Sequence, residues 1–153
     1  MIPSTAQSPR LAVRAVIVES GRLLLVNAPA GGRPDLWCAP GGGAVTHASL
    51  PDNLAREVHE ETGLRVSVGR LLGVCEFHDR HGDFHQVDLF FAARSLDGEL
   101  QEEWRDPEGI VTRRRWFSPT DLGKTWFKPD ILPDLAFGGA QDPAYHPLEA
   151  MIT

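Results

Sequence analysis

Two apolar runs near the start of the chain, residues 11–18 and 23–26, are separated by Glu19-Ser20-Gly21-Arg22, and this spacing predicts a β-hairpin. The first run is rich in Val, Ile and Ala and is interrupted by a single charge, Arg14. A loop containing Gly and Pro is expected over residues 28–34, followed by a short apolar strand at 36–39 that runs into Gly41-Gly42-Gly43. A helix is then expected from Ser49, a good N-cap with Asp52 three residues on and Pro51 in the first turn; Gly63 suits the left-handed position that ends it. Leu54 and Val58 form its apolar side, beside a stripe of acids. Strands are predicted at 71–77 and 87–93, joined by a polar turn at 78–83, and again at 113–117. Ser118-Pro119 reads as the capped start of a short helix, and a second short helix is expected over 129–137.

Beyond Gly138 no period is evident, so residues 138–153 are expected to be an irregular Pro- and Gly-rich tail on a core of about 11–137. With no internal repeat and 153 residues, a single domain is expected, of the α+β class. An apolar content of 42% is enough to build a core.

A formal net charge of −6 argues against general nucleic-acid binding, which depends on a basic face. A small anionic substrate is compatible with that charge if a metal supplies the positive charge. No apolar run is long enough to span a membrane and the first ten residues hold no signal-peptide core, so a cytoplasmic protein without membrane contact is expected. Cys38 and Cys75 have no metal-ligand spacing and read as free core thiols.

The densest chemistry lies in Arg56-Glu57-Val58-His59-Glu60-Glu61-Thr62-Gly63-Leu64. On a helix turning about 100° per residue, Glu60 and Glu61 fall on the same side as Glu57. Crowded like charges are mildly destabilising, which suggests a divalent cation; the competing reading is a solvated acidic face. The three glycines upstream permit close approach of backbone to a ligand.

Together these residues resemble the box of the Nudix hydrolase family, which includes MutT-like domains. Eight of the nine fixed positions match at the family's spacing: Gly42, Arg56, Glu57, Val58, Glu60, Glu61, Gly63 and Leu64. The ninth, normally Glu, is Ala48. The resemblance implies an α/β/α sandwich with a mixed sheet, the box forming a loop-helix-loop beside it. It further implies hydrolysis of a nucleoside diphosphate linked to another moiety, by water attack on phosphorus. Glu57, Glu60, Glu61 and the backbone carbonyl of Gly41 would hold the metal, and Arg56 would orient its neighbouring glutamate. Hard oxygen ligands favour Mg²⁺, with Mn²⁺ the alternative.

Family members often take a general base from a loop beyond the box. Here Glu102, Glu103, Asp106 and Glu108 occupy such a segment, with Glu108 favoured; Glu57 is the alternative for positioning the water. Ala48 leaves open a second reading, a domain that binds a nucleotide or a protein partner without turnover. The expected partner is a small nucleotide substrate, and homodimers are frequent in the family. His47 is expected in an exposed loop. His78, His81 and His85 read as a hairpin tip in preference to a zinc site. Arg113 and Arg115 share one strand face, either solvated or placed over a phosphate. The four tryptophans read mainly as packing residues.

Overall fold

The computed structural model describes residues 8–27 and 35–151. The loop expected at 28–34 lies outside these residues. Among the described residues eight strands and three helices follow in the order β1 (Arg10–Glu19), β2 (Arg22–Asn27), β3 (Trp37–Cys38), β4 (Gly41–Gly43), α1 (Leu50–Thr62), β5 (Arg65–His78), β6 (His85–Asp97), β7 (Arg114–Phe117), α2 (Pro119–Leu122), α3 (Leu132–Phe137) and β8 (Ala144–Ala150). The result is the α/β/α sandwich with a mixed sheet that the sequence suggested.

β1 organises the sheet. Along one edge it pairs in parallel with β6, from Arg10 opposite Gln86 to Ile17 opposite Ala93. Its other edge is shared: Ala12–Arg14 pair with β4, whereas Val18 and Glu19 pair with β2. β3 and β7 extend the β2 side, and β5 and β8 extend the β6 side. The edge of β1 therefore serves two diverging partners, and a cleft opens between them. The apolar run of β1 is explained by burial on both faces. Val13, Ala15 and Ile17 point to Leu54 and Val58 of α1, while Val16 joins Leu23, Trp37, Phe90, Leu122 and Leu132 on the other face.

Two elements differ from expectation. The triple glycine is a short strand rather than a loop, held by β1 opposite Ala12, Val13 and Arg14. Gly41 is required there: a Cβ at this position would lie 1.9 Å from the Val13 carbonyl oxygen. The tail expected to be irregular contains β8, which pairs in parallel with β5 from Gly73 opposite Ala144. Its polar and Pro-containing sequence hides an edge strand, the position in which one missing ladder donor is tolerated. The hairpin strands β5 and β6 also run longer than the apolar signal, because mutual pairing continues through polar ends such as His78 opposite His85.

Helix α1 begins as its residues dictate. The Ser49 hydroxyl accepts the Asp52 amide at 3.1 Å, and Gly63 (φ +77°) turns left-handed to donate to the His59 carbonyl. Leu54 and Val58 are fully buried and fix this helix on the sheet. Leu54→Ala is expected to lower unfolding free energy by about 2–5 kcal/mol, read from the urea midpoint; a change within about 0.5 kcal/mol contradicts this packing.

Candidate active site

The Asn53 side chain joins helix α1 to the glycine strand. It is 1% exposed; its carbonyl oxygen accepts the Val45 amide at 2.9 Å, and its amide group donates to the carbonyls of Val45, Ala48 and Ser49. The loop from Val45 to Ser49 is thereby folded back onto the helix, which brings β4 against the acidic stripe. Gly41 N–H donates to Glu61 Oε1 at 2.7 Å, and a Cβ on Gly42 would lie 2.6 Å from the Glu57 carboxylate. Gly42 thus meets Glu57 through its missing side chain, and Gly41 meets Glu61 through its amide. His47 lies in this loop with φ +70° and is exposed.

The carboxylates are held apart by specific partners. Arg56 Nη1 lies 3.2 Å from Glu57 and 3.3 Å from Glu60, and its Nη2 donates to Asn53 Oδ1 at 3.1 Å. Burial pushes the Glu61 carboxyl up to about 7, against the pull of Arg14 and the Gly41 amide, with Glu57 and Asp106 adding repulsion. Burial also raises Glu57; Arg56 opposes this, and Glu60 and Glu108 reinforce it. Two acids kept above their ordinary range in one cleft are a sign of a site adapted to a cation or a proton.

These groups line a cavity of about 640 Å³ with Arg10, Arg14, Asn27, Val45, Ile110 and the β4 glycines. It occupies the place where β2 and β4 diverge from β1. Glu108 reaches it from the segment before β7, so of the four acids in that segment Glu108 alone is on the cavity wall. Asp106 is committed elsewhere: it is buried and its carboxylate accepts the amides of Glu108, Ile110 and Val111 at 2.9, 3.2 and 2.9 Å. Arg56, Glu57 and Glu61 line the same cavity, whereas Glu60 stands outside its lining and meets it through Arg56.

Arg14 is the lone charge of the apolar run 11–18 within β1, and its placement gives it a use. Its Nε lies 3.8 Å from Asp88 Oδ2, and its Nη1 donates to the Ala39 carbonyl at 3.3 Å. Burial works against its charge, but Asp88, Cys38, Glu61 and Glu57 together hold it above its ordinary value. Arg14 and Cys38 also line a second cavity of about 190 Å³, walled by Leu36, Phe77, Phe84, Phe90 and Pro129, with Gln86, Asp88 and Lys128 as its polar groups. Gln86 donates to Asp88 at 2.7 Å and accepts from Arg10, so polar contacts run from the wall of one space to that of the other.

Other candidates take structural positions. Arg113 and Arg115 lie 4.9 Å over the rings of Trp37 and Phe117, and neither lines the acidic cavity. His85 contacts Glu76 at 3.3 Å, and the His78 and His85 rings are 6.2 Å apart. Cys38 and Cys75 are free thiols, pushed up by burial to about 11 and about 12, which keeps them protonated at neutral pH.

A family model for the NUDIX domain matches residues 8–135. The chain belongs to the Nudix family. A diphosphoinositol polyphosphate phosphohydrolase 2 of Rattus norvegicus is 36% identical over 91 residues, 60% of this chain and 48% of that protein. The chain thus spans about half the length of that curated relative. Among solved structures, a UDP-X diphosphatase superposes with TM-score 0.69 and 26% identity, covering 93% of this chain and 70% of the other. An ADP-ribose pyrophosphatase from Streptococcus suis gives 0.66 and 27%, covering 91% and 100%. No helix among the described residues is long and apolar enough to cross a membrane.

The Nudix box donors suit a hard cation, being oxygens alone, and the absence of a side chain at Gly42 leaves space beside the Glu57 carboxylate. Among the described residues no three His, Cys, Asp or Glu groups are already gathered as a cage. Glu57 and Glu60 are turned to Arg56, and Glu61 to Gly41. An ion at this place would draw on carboxylates now turned to Arg56 and to the Gly41 amide.

Proposed function

We propose that this chain is a Mg²⁺-dependent pyrophosphohydrolase that cleaves a nucleoside diphosphate linked to another moiety. The observation that carries this reading is the joining of two unlike spaces by Arg14 and Cys38: an acidic cavity beside the Nudix helix and a smaller apolar one. The first fits a metal-neutralised diphosphate and the second fits a flat heterocycle. Names of the solved neighbours, a UDP-X diphosphatase and an ADP-ribose pyrophosphatase, agree with a nucleoside diphosphate. The inositol-directed relative shares a phosphohydrolase name, but Asp88 and the apolar walls Leu36, Phe77, Phe84, Phe90 and Pro129 are poor company for a polyphosphorylated ring.

When bound at Glu57, Glu60, Glu61 and the Gly41 carbonyl, Mg²⁺ would neutralise diphosphate charge and acidify water. Arg10 and Arg14 face the same cavity and attract the remaining phosphate oxygens. Glu108 acts as the general base, taking the proton of the attacking water as its oxygen bonds to phosphorus. The bridging P–O bond breaks with its electron pair passing to the leaving phosphate. Arg56 spans Glu57 and Glu60 and sets their rotamers.

The test is hydrolysis of a panel holding UDP-sugars, ADP-ribose, dinucleoside polyphosphates, nucleoside triphosphates and a diphosphoinositol polyphosphate, with Mg²⁺ or Mn²⁺, in ¹⁸O-labelled water. Cleavage of a nucleoside diphosphate derivative with label in the phosphate product is expected. Stabilisation by a nucleotide without any cleavage would instead identify a binding domain, the reading that Ala48 left open.

Ala48 is exposed and contributes its carbonyl to Asn53. Because Asn53 already secures this loop, Ala48→Glu is expected to raise turnover or Mg²⁺ affinity only modestly, about 2- to 10-fold, below the roughly 10- to 100-fold typical of outer-shell effects. Titration of initial rates against Mg²⁺ measures it, and no change in either quantity rejects a supporting role for that position.

A further inference from the structure

Helix α1 ends with carbonyls that have no partner of their own within the helix. Two of them, those of Glu60 and Glu61, are taken by side chains from the far side of the chain. Trp104 Nε1 donates to the Glu60 carbonyl at 2.9 Å, and Arg114 Nε donates to that of Glu61. Arg114 also donates to the Trp104 and Val111 carbonyls, each at 3.4 Å, so a single guanidinium holds both ends of residues 104–114 and the helix terminus. A cation is favoured at this negative end of the helix.

The indole is seated as well as bonded. It packs 5.2 Å from the His59 ring, and a Cβ at Gly63 would come within 2.8 Å of it. Between Trp104 and Arg114 the backbone is fixed by Asp106, whose carboxylate binds three amides, and by Gly109, which turns with φ +69° and donates to the Asp106 carbonyl at 2.9 Å. Glu108 is one of the residues whose amide Asp106 holds.

We infer that Trp104 and Arg114 are positioning residues that fasten the segment carrying Glu108 to the backbone of Glu60 and Glu61. This rests on the proposed role of Glu108 as base. The same two helix residues then supply carboxylates on one side and a backbone anchor on the other, which fixes the separation of base and acids. A misplacement of about 1 Å is enough to cost about 100-fold in rate.

The experiment compares Trp104→Phe, Arg114→Gln and Arg114→Lys, each alone and combined with Glu108→Gln, in kcat, KM and Mg²⁺ dependence. Trp104→Phe keeps a ring against Gly63 and removes only the donor; Arg114→Lys keeps the charge. In the native background Trp104→Phe and Arg114→Gln are expected to lower kcat about 10-fold, with KM and Mg²⁺ dependence within about 2-fold, and Arg114→Lys less. With Glu108→Gln present, the same changes should have no further effect, the signature of groups acting as a unit. A readout independent of activity is hydrogen exchange of the metal-free protein, in which the Ile110 and Val111 amides should lose protection while α1 keeps its own. Equal losses with and without Glu108→Gln, or unchanged kcat and unchanged exchange, overturn the inference while leaving Glu108 as base. Native turnover in Glu108→Gln alone removes the base assignment and this inference together.

Discussion

Replacing Glu57 or Glu61 by Gln is expected to lower turnover about 100- to 1,000-fold, the usual cost of removing one electrostatic contributor in an enclosed site. Both residues border the acidic cavity. The substitutions preserve shape, and in Glu61→Gln the amide oxygen can still accept the Gly41 N–H that Glu61 now binds. Loss of activity with an unaltered fold therefore reports on charge. Retention of more than about half the native rate in both variants would falsify the assignment of these carboxylates.

Glu61 gives the same experiment a thermodynamic arm. Its carboxyl is raised from 4.5 to about 7 in the folded chain. Between those values the native state holds a proton that the unfolded chain has released, so the contribution is complete below about 4.5 and is lost as pH rises through about 7. Thermal or urea unfolding of the metal-free protein should show this loss, on the order of 1–2 kcal/mol once partial exposure is allowed for. Glu61→Gln should lack that slope relative to the native chain, since all other carboxylates are common to both. Adding Mg²⁺ at about 100 times its Kd should restore about 2.7 kcal/mol to the native protein at high pH and much less to the variant. Parallel pH curves for the two metal-free proteins would show that Glu61 is not the raised group.

Glu108→Gln carries the second large effect, a fall in kcat of about 100-fold or more, in the range expected for losing a general base. Its distinguishing feature is the pH profile. The acid-side decline in kcat/KM should vanish, because that limb reports protonation of the base in the free enzyme. Mg²⁺ affinity should stay within a few-fold of native, whereas Glu57→Gln and Glu61→Gln shift it. If Glu57 positions the water instead, Glu108→Gln keeps the native profile and Glu57→Gln loses the acid limb.

The chain announced most of its strands through local patterning. β1 and β2 follow from two apolar runs around Ser20-Gly21, and α1 from Ser49, Pro51 and Gly63, because caps and turns act over a few residues. The box residues made the family legible, since Gly42, Arg56, Glu57, Glu60 and Glu61 stand at fixed spacing within one loop and helix. β4 and β8 were not legible. Glycines carry no strand propensity, and the polar sequence of β8 pairs only because β5 offers a free edge.

By itself, then, the sequence determined the elements whose causes lie within a few residues, along with the identity of the acids and the type of ion they suit. The tertiary structure decided which distant groups join them. Arg14 signalled itself only as a lone charge in an apolar run; packing turned it toward Asp88 and the acidic cavity. Asp106 and Glu108 are two residues apart and were both candidates for the base, with Glu108 favoured; only the fold shows that one spends its carboxylate on three amides while the other faces the cavity. Trp104 and Arg114 gave no sign of their bond to α1, because a carbonyl at a helix end is the same in every sequence and only the folded chain brings a donor to it.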